Sequence, residues 1–198
     1  MTNLNIFFTM ILGLSAISLR AQHEGHMGHM DQMHSTGMSH DNHISASQNI
    51  APEFQNQLSQ VVHAAGMLSD AFVSEDAAKI DAAVNEVRNK LNEADMNLLK
   101  GEDHMNWMQY QRSMIELVNK ISDSSELSEQ KESFAAFNEN LYLSVNAFGI
   151  QGEPAYYQFC PMAFNNKGAY WFSNMKKINN PYFGEKMLTC GQTREVFE

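Results

Sequence analysis

The sequence predicts an all-α fold: an antiparallel four-helix bundle with an irregular, aromatic-rich C-terminal cap from about residue 154. Three observations predict it. Apolar residues recur at alternating steps of three and four between residues 54 and 148, short polar turns divide them into four stretches, and aromatic residues crowd around turn formers after Pro154. Because short connections force neighbouring helices to run in opposite directions, an up-down bundle is favoured.

The first two helices are predicted from their apolar faces. Ser74, followed by Glu75 and Asp76, is typical of an N-cap with acidic residues in the first turn, so the second helix is expected to begin there. The face of the first helix comprises Phe54, Leu58, Val61, Ala65, Leu68 and Phe72, and that of the second Ile80, Val84, Val87, Leu91 and Ala94.

The third and fourth helices are predicted in the same way. A loop around Gly101 precedes the third helix, and a polar turn at residues 122–125 follows it. Ser128 opens the fourth, which Gly149 and Gly152 close. Their apolar faces comprise Trp107, Gln111, Met114, Val118 and Ile121, and then Phe134, Phe137, Leu141, Val145 and Phe148.

The segment after Pro154 does not have a helical pattern. It holds nine aromatic residues between positions 156 and 183, interleaved with turn formers. Asn165-Asn166-Lys167-Gly168 lies between two short apolar runs and predicts a hairpin or tight turn, and Asn180-Pro181 predicts another turn. We therefore expect an irregular cap that packs on the bundle.

The N-terminal residues predict export. The apolar run 6–19 is followed by Leu19-Arg20-Ala21, so residues 1–21 are interpreted as a cleaved signal peptide and the protein as periplasmic, the alternative being a retained membrane anchor. Residues 22–49 are nearly free of aliphatic and aromatic side chains and are expected to form a disordered tail before one domain, residues 50–198. The net charge of −10 argues against binding to nucleic acid or anionic membranes.

The tail combines two kinds of metal ligand. Imidazole binds copper, zinc and nickel, whereas the soft thioether of Met favours Cu(I), so the mixture predicts copper, as Cu(I) or Cu(II). A biased linker or an expression tag is the alternative. The candidate ligands are His23, His26, Met27, His29, Met30, Met33, His34, Met38, His40 and His43.

A second candidate site combines Cys160-Pro161-Met162 with the segment from Met187 to Cys190. Each segment offers one thiolate and one thioether, and four soft donors suit Cu(I). The alternative is a structural disulfide between Cys160 and Cys190 with the methionines as core filler, since an exported chain meets an oxidising compartment.

The C-terminal motif resembles the family called domain of unknown function 3347. The resemblance covers about residues 54–197 and is strongest in the last forty-odd residues. It implies an exported protein associated with copper or related metals, because members occur in Bacteroidetes and are appended to periplasmic adaptor subunits of heavy-metal efflux pumps. The motif positions are Cys160, Pro161, Met162, Trp171, Asn180, Pro181, Tyr182, Phe183, Gly184, Met187, Cys190 and Gly191.

Two histidines lie outside the tail. His63 is on the first helix and His104 begins the third, both off the apolar stripes. A solvated surface residue is the simpler interpretation for His63. The resemblance implies a His near position 104 at a metal site, so His104, and with it His63, is hypothesised to approach the Cys/Met cluster from the bundle. Met105, Trp107 and Met108 are interpreted as core packing.

The sequence favours a non-enzymatic protein. It contains no nucleophile elbow, phosphate-binding glycine loop or His-Glu-x-x-His helix. Pro161 also removes a backbone N–H that an oxyanion next to Cys160 would need. We expect a periplasmic copper chaperone or buffer that passes the ion to an efflux adaptor or another acceptor. The alternatives are a structural or interaction module stapled by a disulfide, and a thiol redox enzyme.

Overall fold

Four long helices make up most of residues 50–198, the part of the chain that the computed structural model describes. They are α1 (Pro52–Ser74), α2 (Ala77–Glu93), α3 (Gly101–Asp123) and α4 (Leu127–Phe148), with a short 3-10 turn at Met96–Leu98. Three strands follow: β1 (Ala155–Cys160), β2 (Ala169–Ser173) and β3 (Gln192–Phe197), with a 3-10 turn at Gly184–Met187 between the last two. The predicted signal peptide and tail, residues 1–49, lie outside the described residues.

The predicted helices are present, with small shifts at their ends. Ser74 is the last residue of α1 instead of the N-cap of α2, because Glu75 adopts a left-handed conformation that ends α1. Asp76 caps α2 instead, and its carboxylate accepts hydrogen bonds from the N–H groups of Ala78 and Lys79. The predicted apolar faces are buried throughout the bundle, apart from Gln111. Gln111 is half-buried and donates to the Leu91 carbonyl at 2.6 Å.

The helices run alternately up and down, as aromatic contacts at both ends of the bundle show. At one end, Phe54 packs edge-on against Trp107 and Phe148, so the beginnings of α1 and α3 meet the end of α4. At the other, Phe72 packs on Phe134, so the end of α1 meets the beginning of α4. We call the first the Trp107 end. We call the second the Tyr182 end, because Tyr182 packs on Phe134 there.

The C-terminal segment is a small antiparallel sheet, so the mostly helical class is confirmed but the all-α prediction is only partly correct. The strand order is β2-β1-β3. The predicted hairpin turn is confirmed, since β1 and β2 pair from Cys160 opposite Ala169, with left-handed Asn165 and Asn166 in the connection. The segment after Pro154 is therefore a sheet rather than an irregular cap, and the polar sequence of β3, Gln-Thr-Arg-Glu-Val-Phe, does not indicate a strand.

Side-chain hydrogen bonds attach the sheet to the bundle. The buried Asn138 on α4 accepts from the Phe172 N–H at 2.8 Å and donates to the Phe134 carbonyl. Asn174, just after β2, donates to the His63 carbonyl on α1 at 3.0 Å. These bonds attach β2 to α1 and α4, and β1 pairs with β2 as far as Cys160 opposite Ala169. No helix in residues 50–198 is both long and apolar enough to cross a membrane.

Candidate metal centre

Two thiols meet where β1 ends. Cys160 is fully buried, Cys190 is half-buried, and their sulfur atoms are 3.7 Å apart as free thiols. The distance exceeds the ~2.05 Å of a disulfide bond. Two sulfurs held by one ion at about 2.3 Å each would be at most about 4.6 Å apart, so the observed spacing lies within reach of a shared metal. Residues thirty positions apart in sequence are thus brought together, as the metal hypothesis requires.

Asn180 positions the backbone of Cys190. Its side chain is fully buried and donates to the Cys190 carbonyl at 2.7 Å, while its own oxygen accepts from the N–H groups of Tyr182 and Phe183. Its main-chain N–H also donates to the Leu188 carbonyl at 2.8 Å. One amide therefore closes the loop 180–190 on itself, which gives a physical reason for the Asn-Pro-Tyr-Phe motif.

Gly191 lets this loop approach the sheet. Its φ is 144°, and a Cβ atom there would lie 2.9 Å from the Phe159 carbonyl oxygen and 3.0 Å from the buried Trp171 ring. Both distances are too short for a side chain, so a glycine is needed directly after Cys190. The close approach seats Cys190 beside Cys160.

The surroundings of the thiols disfavour charge. Burial is the main cause that raises the pKa of Cys190, and its contact with Cys160 adds to the shift. Nearby Tyr182 is buried and its pKa is also raised, chiefly by desolvation. The raised pKa favours the neutral thiol of Cys190.

The two candidate methionines lie next to the thiols in the chain. Met162 follows Cys160 by two residues and is 45% exposed. Met187 is half-buried, and its carbonyl accepts from the Cys190 N–H at 3.0 Å, so it lies one turn before Cys190. Exposure of Met162 contradicts the alternative in which it fills the core.

The structure does not bring His104 to the cysteine pair. His104 lies at the Trp107 end, one turn before Trp107, whereas the cysteines lie at the Tyr182 end beside Asn180. Phe148 and Phe134 mark these two ends on α4 and are fourteen residues apart, which corresponds to about 21 Å of helix. The hypothesis that His104 joins the Cys/Met cluster is therefore wrong.

His63 also stays away from the cysteines. It is exposed in the middle of α1, where it lines a groove of about 760 Å³ together with Met67 and Met175. The predicted solvated position of His63 is correct, and its approach to the Cys/Met cluster is not observed.

Core packing is the correct interpretation for Trp107 alone. Trp107 is fully buried, but Met105 is 64% and Met108 43% exposed. Both methionines lie off the stripe that Trp107, Met114 and Val118 define, and this spacing is the signal that could have placed them at the surface.

The side chains that most often bind metals in proteins do not cluster in the described part of the chain. Within residues 50–198, no three His, Cys, Asp or Glu side chains converge on one point. Within the described residues, the candidate thioethers of Met162 and Met187 are therefore the further donors that a metal site at the cysteine pair would need. The tail ligands, from His23 to His43, lie outside the described residues.

Residues 66–153 match the family model described as "Protein of unknown function (DUF3347)". Residues 66–153 of the chain therefore belong to the DUF3347 family. In this DUF3347 protein the matched region runs from the middle of α1 to the end of the bundle and stops before β1. No curated protein and no solved structure matches the chain. The family assignment therefore rests on the helices, whereas the cysteine pair lies beyond the matched residues.

Proposed function

We propose that this DUF3347 protein is an exported copper-binding protein, a periplasmic chaperone or buffer that passes Cu(I) to a heavy-metal efflux adaptor or another acceptor. The observation that carries the proposal is the pair of unlinked thiols, buried Cys160 and half-buried Cys190, whose sulfur atoms are 3.7 Å apart. The N-terminal His/Met-rich sequence supports it independently, because mixed imidazole and thioether ligands favour copper.

The donor set favours Cu(I) over zinc. Structural zinc takes four Cys or His ligands, and residues 50–198 bring no such group together. Cu(I) is soft and is well served by two thiolates with a thioether nearby. Met162 and Met187 supply candidate thioethers on the two segments that carry the cysteines.

The direct test is an anaerobic Cu(I) titration against a competing chelator, on the full chain lacking only the predicted signal peptide. We expect Cys160→Ser/Cys190→Ser to lose the tightest equivalent of Cu(I) and to keep the weaker equivalents that we assign to the tail. Thr189→Ser is the matched control, since Thr189 is exposed beside Cys190 and offers no sulfur. An unchanged tightest equivalent in the cysteine double variant would refute the assignment.

The second candidate function is a structural or interaction module of an efflux system. The same contact favours it, because two thiols in van der Waals reach can close into a disulfide in an oxidising compartment. In that case the purified protein contains a Cys160–Cys190 bond that resists glutathione, and its reduction lowers the melting temperature without revealing new Cu(I) affinity.

A further inference from the structure

We propose that His104, Met105 and Met108 form a second Cu(I) site, on the surface at the Trp107 end and separate from the cysteine pair. The proposal rests on the function proposed above and extends it from a buried thiol site to a solvent-facing thioether site. Its ligands lie within one turn and a half of α3.

Helix geometry places the three donors on one face. At 100° per residue, Met108 lies about 40° and Met105 about 100° around the helix from His104, so Met108 stands between the other two. His104 and Met108 are four residues apart and Met105 and Met108 three, spacings that put Cβ atoms about 5–6 Å from each other. Exposure follows the same order away from the buried Trp107: His104 is half-buried, Met108 43% exposed and Met105 64% exposed.

A hydrogen bond fixes which nitrogen of His104 is available. His104 Nδ1 lies 2.8 Å from the Met96 carbonyl oxygen. A carbonyl only accepts, so Nδ1 carries a proton and Nε2 is the ring nitrogen that is left to bind a metal. Metal-binding histidines commonly donate their second ring N–H to a carbonyl in this way, which orients the ring and raises the basicity of the ligating nitrogen.

The charges around this face are compatible with a cation. The N-terminus of α3 carries positive partial charge, which Glu102 and Asp103 in the first turn offset. Arg112 is positively charged and would repel a bound cation. It is exposed one turn beyond Met108, where its long side chain can extend into water. One imidazole and two thioethers are neutral donors, and their softness selects Cu(I) over zinc.

Accessibility gives this site a role different from that of the cysteines. An acceptor protein can reach exposed thioethers directly, without opening the fold. Neutral donors also release Cu(I) without taking up a proton, whereas thiolates must be reprotonated or replaced. The Trp107 end is thus suited to exchange of the ion, and the Tyr182 end to its retention.

The test uses the full chain without its predicted signal peptide, labelled with ¹³C at the methionine methyl groups and with ¹⁵N at the histidine ring nitrogens, and titrated anaerobically with Cu(I). Met105→Leu and Met108→Leu assign the two methyl resonances. We expect both resonances to shift together with the His104 ring nitrogen, while the methyl of Met114, buried on the same helix, stays in place. Resonances of Met105 and Met108 that keep their metal-free positions at saturating Cu(I) would overturn the proposal.

Variants separate this site from its surroundings. Met105→Leu/Met108→Leu should abolish the Cu(I)-induced shift of the His104 ring, whereas Gln109→Leu, an exposed position on the same helix, should leave it unchanged. An unaltered His104 shift in the double variant would also overturn the proposal. Cys160→Ser/Cys190→Ser should leave the Met105 and Met108 shifts intact, so this site and the cysteine site can fail independently.

Discussion

The two ends of the bundle present sulfur in opposite ways. At the Tyr182 end, the buried thiol of Cys160 meets the half-buried thiol of Cys190, whose carbonyl accepts a hydrogen bond from Asn180. At the Trp107 end, two thioethers project from α3 into solvent beside a histidine whose ring is already oriented. The first arrangement depends on tertiary structure, since its residues come from β1 and a distant loop. The second depends only on one helix and a single hydrogen bond.

Under the two proposals above, this difference would let one small domain both hold and exchange the same ion. Preorganised, desolvated ligands gain affinity because their ordering is complete before the ion arrives. Exposed neutral ligands instead leave a bound ion accessible to an acceptor protein. The predictions below alter one end at a time and ask whether the other responds.

The largest effect is expected at Asn180. Asn180→Ala removes three side-chain hydrogen bonds from a buried loop and should lower the free energy of unfolding by about 3 kcal/mol, at roughly 1 kcal/mol each. Denaturant unfolding of the metal-free protein measures it. Asn179→Ala is the matched control, because the Asn179 Oδ1 atom has no hydrogen-bond partner within residues 50–198. Equal losses in the two variants would contradict the role given to Asn180.

A somewhat smaller effect is expected at Lys131. Its ammonium group is nearly buried and donates to Glu75 at 2.7 Å and to the Tyr182 carbonyl at 3.1 Å, so it ties the loop to α1 and α4. Lys131→Met should lower the free energy of unfolding by about 2 kcal/mol.

Lys79→Met is the comparison for Lys131. Lys79 is exposed and lies 3.9 Å from Asp76, and removal of such a surface pair should cost no more than about 0.5 kcal/mol. A Lys131 variant as stable as the Lys79 variant would show that the link between loop and bundle contributes little.

Stability should fall in alkaline solution because the sheet and loop bury tyrosines. Burial is the main cause that raises the pKa of both Tyr157 and Tyr182 above the ordinary value of 10.0. The native state keeps both phenols protonated while the unfolded state ionises them. The contribution of the two tyrosines to the free energy of unfolding is therefore complete below pH 10. Above pH 10 it declines by about 1.4 kcal/mol per pH unit for each tyrosine.

Tyr157→Phe checks this pH dependence. Tyr157 stacks between the rings of Tyr142 and Tyr170, and phenylalanine keeps that packing. Above pH 10, the free energy of unfolding of the variant should fall less steeply with pH than that of the original protein, by about 1.4 kcal/mol per pH unit. An unchanged slope would show that Tyr157 does not titrate on unfolding.

The smallest effect is expected at the Trp107 end. Met105→Ala and Met108→Ala should each change the free energy of unfolding by less than about 0.5 kcal/mol, because both side chains are exposed. Met114→Ala on the same helix should cost far more, since Met114 is fully buried and its removal leaves a cavity. Thermal unfolding without metal compares the three. A large loss of unfolding free energy in Met105→Ala would show that the Met105 side chain packs in the core.

Apolar spacing predicted the bundle well and its sites poorly. The stripes from Phe54 to Phe148 are buried because a helix must cover its apolar face, and this requirement is local in sequence. Methionine counts as apolar in such patterns, so the sequence predicts a core position for Met105 and Met108, although both lie off the stripe and are exposed. The sequence does not predict the edge strand β3, because Arg194 and Glu195 interrupt the alternation of apolar and polar residues that indicates a strand.

The position of His104 could not be predicted from sequence for a different reason. Pairing it with the cysteines required knowledge of which end of the bundle the sheet covers, and helix periodicity carries no such information. The sequence predicts that Cys160 and Cys190 meet, either as a pair of metal ligands or as a disulfide. It cannot distinguish the two, because both need only two cysteines that the fold brings together.

The most direct measurement is alkylation of the cysteines, mapped by mass spectrometry with and without one equivalent of Cu(I) under anaerobic conditions. If Cys160 and Cys190 hold the ion, Cu(I) should protect both from alkylation and slow their oxidation, while Met105 and Met108 stay unaffected at this stoichiometry. A fully formed Cys160–Cys190 disulfide in the protein as isolated, together with equal alkylation with and without Cu(I) after reduction, would contradict the account.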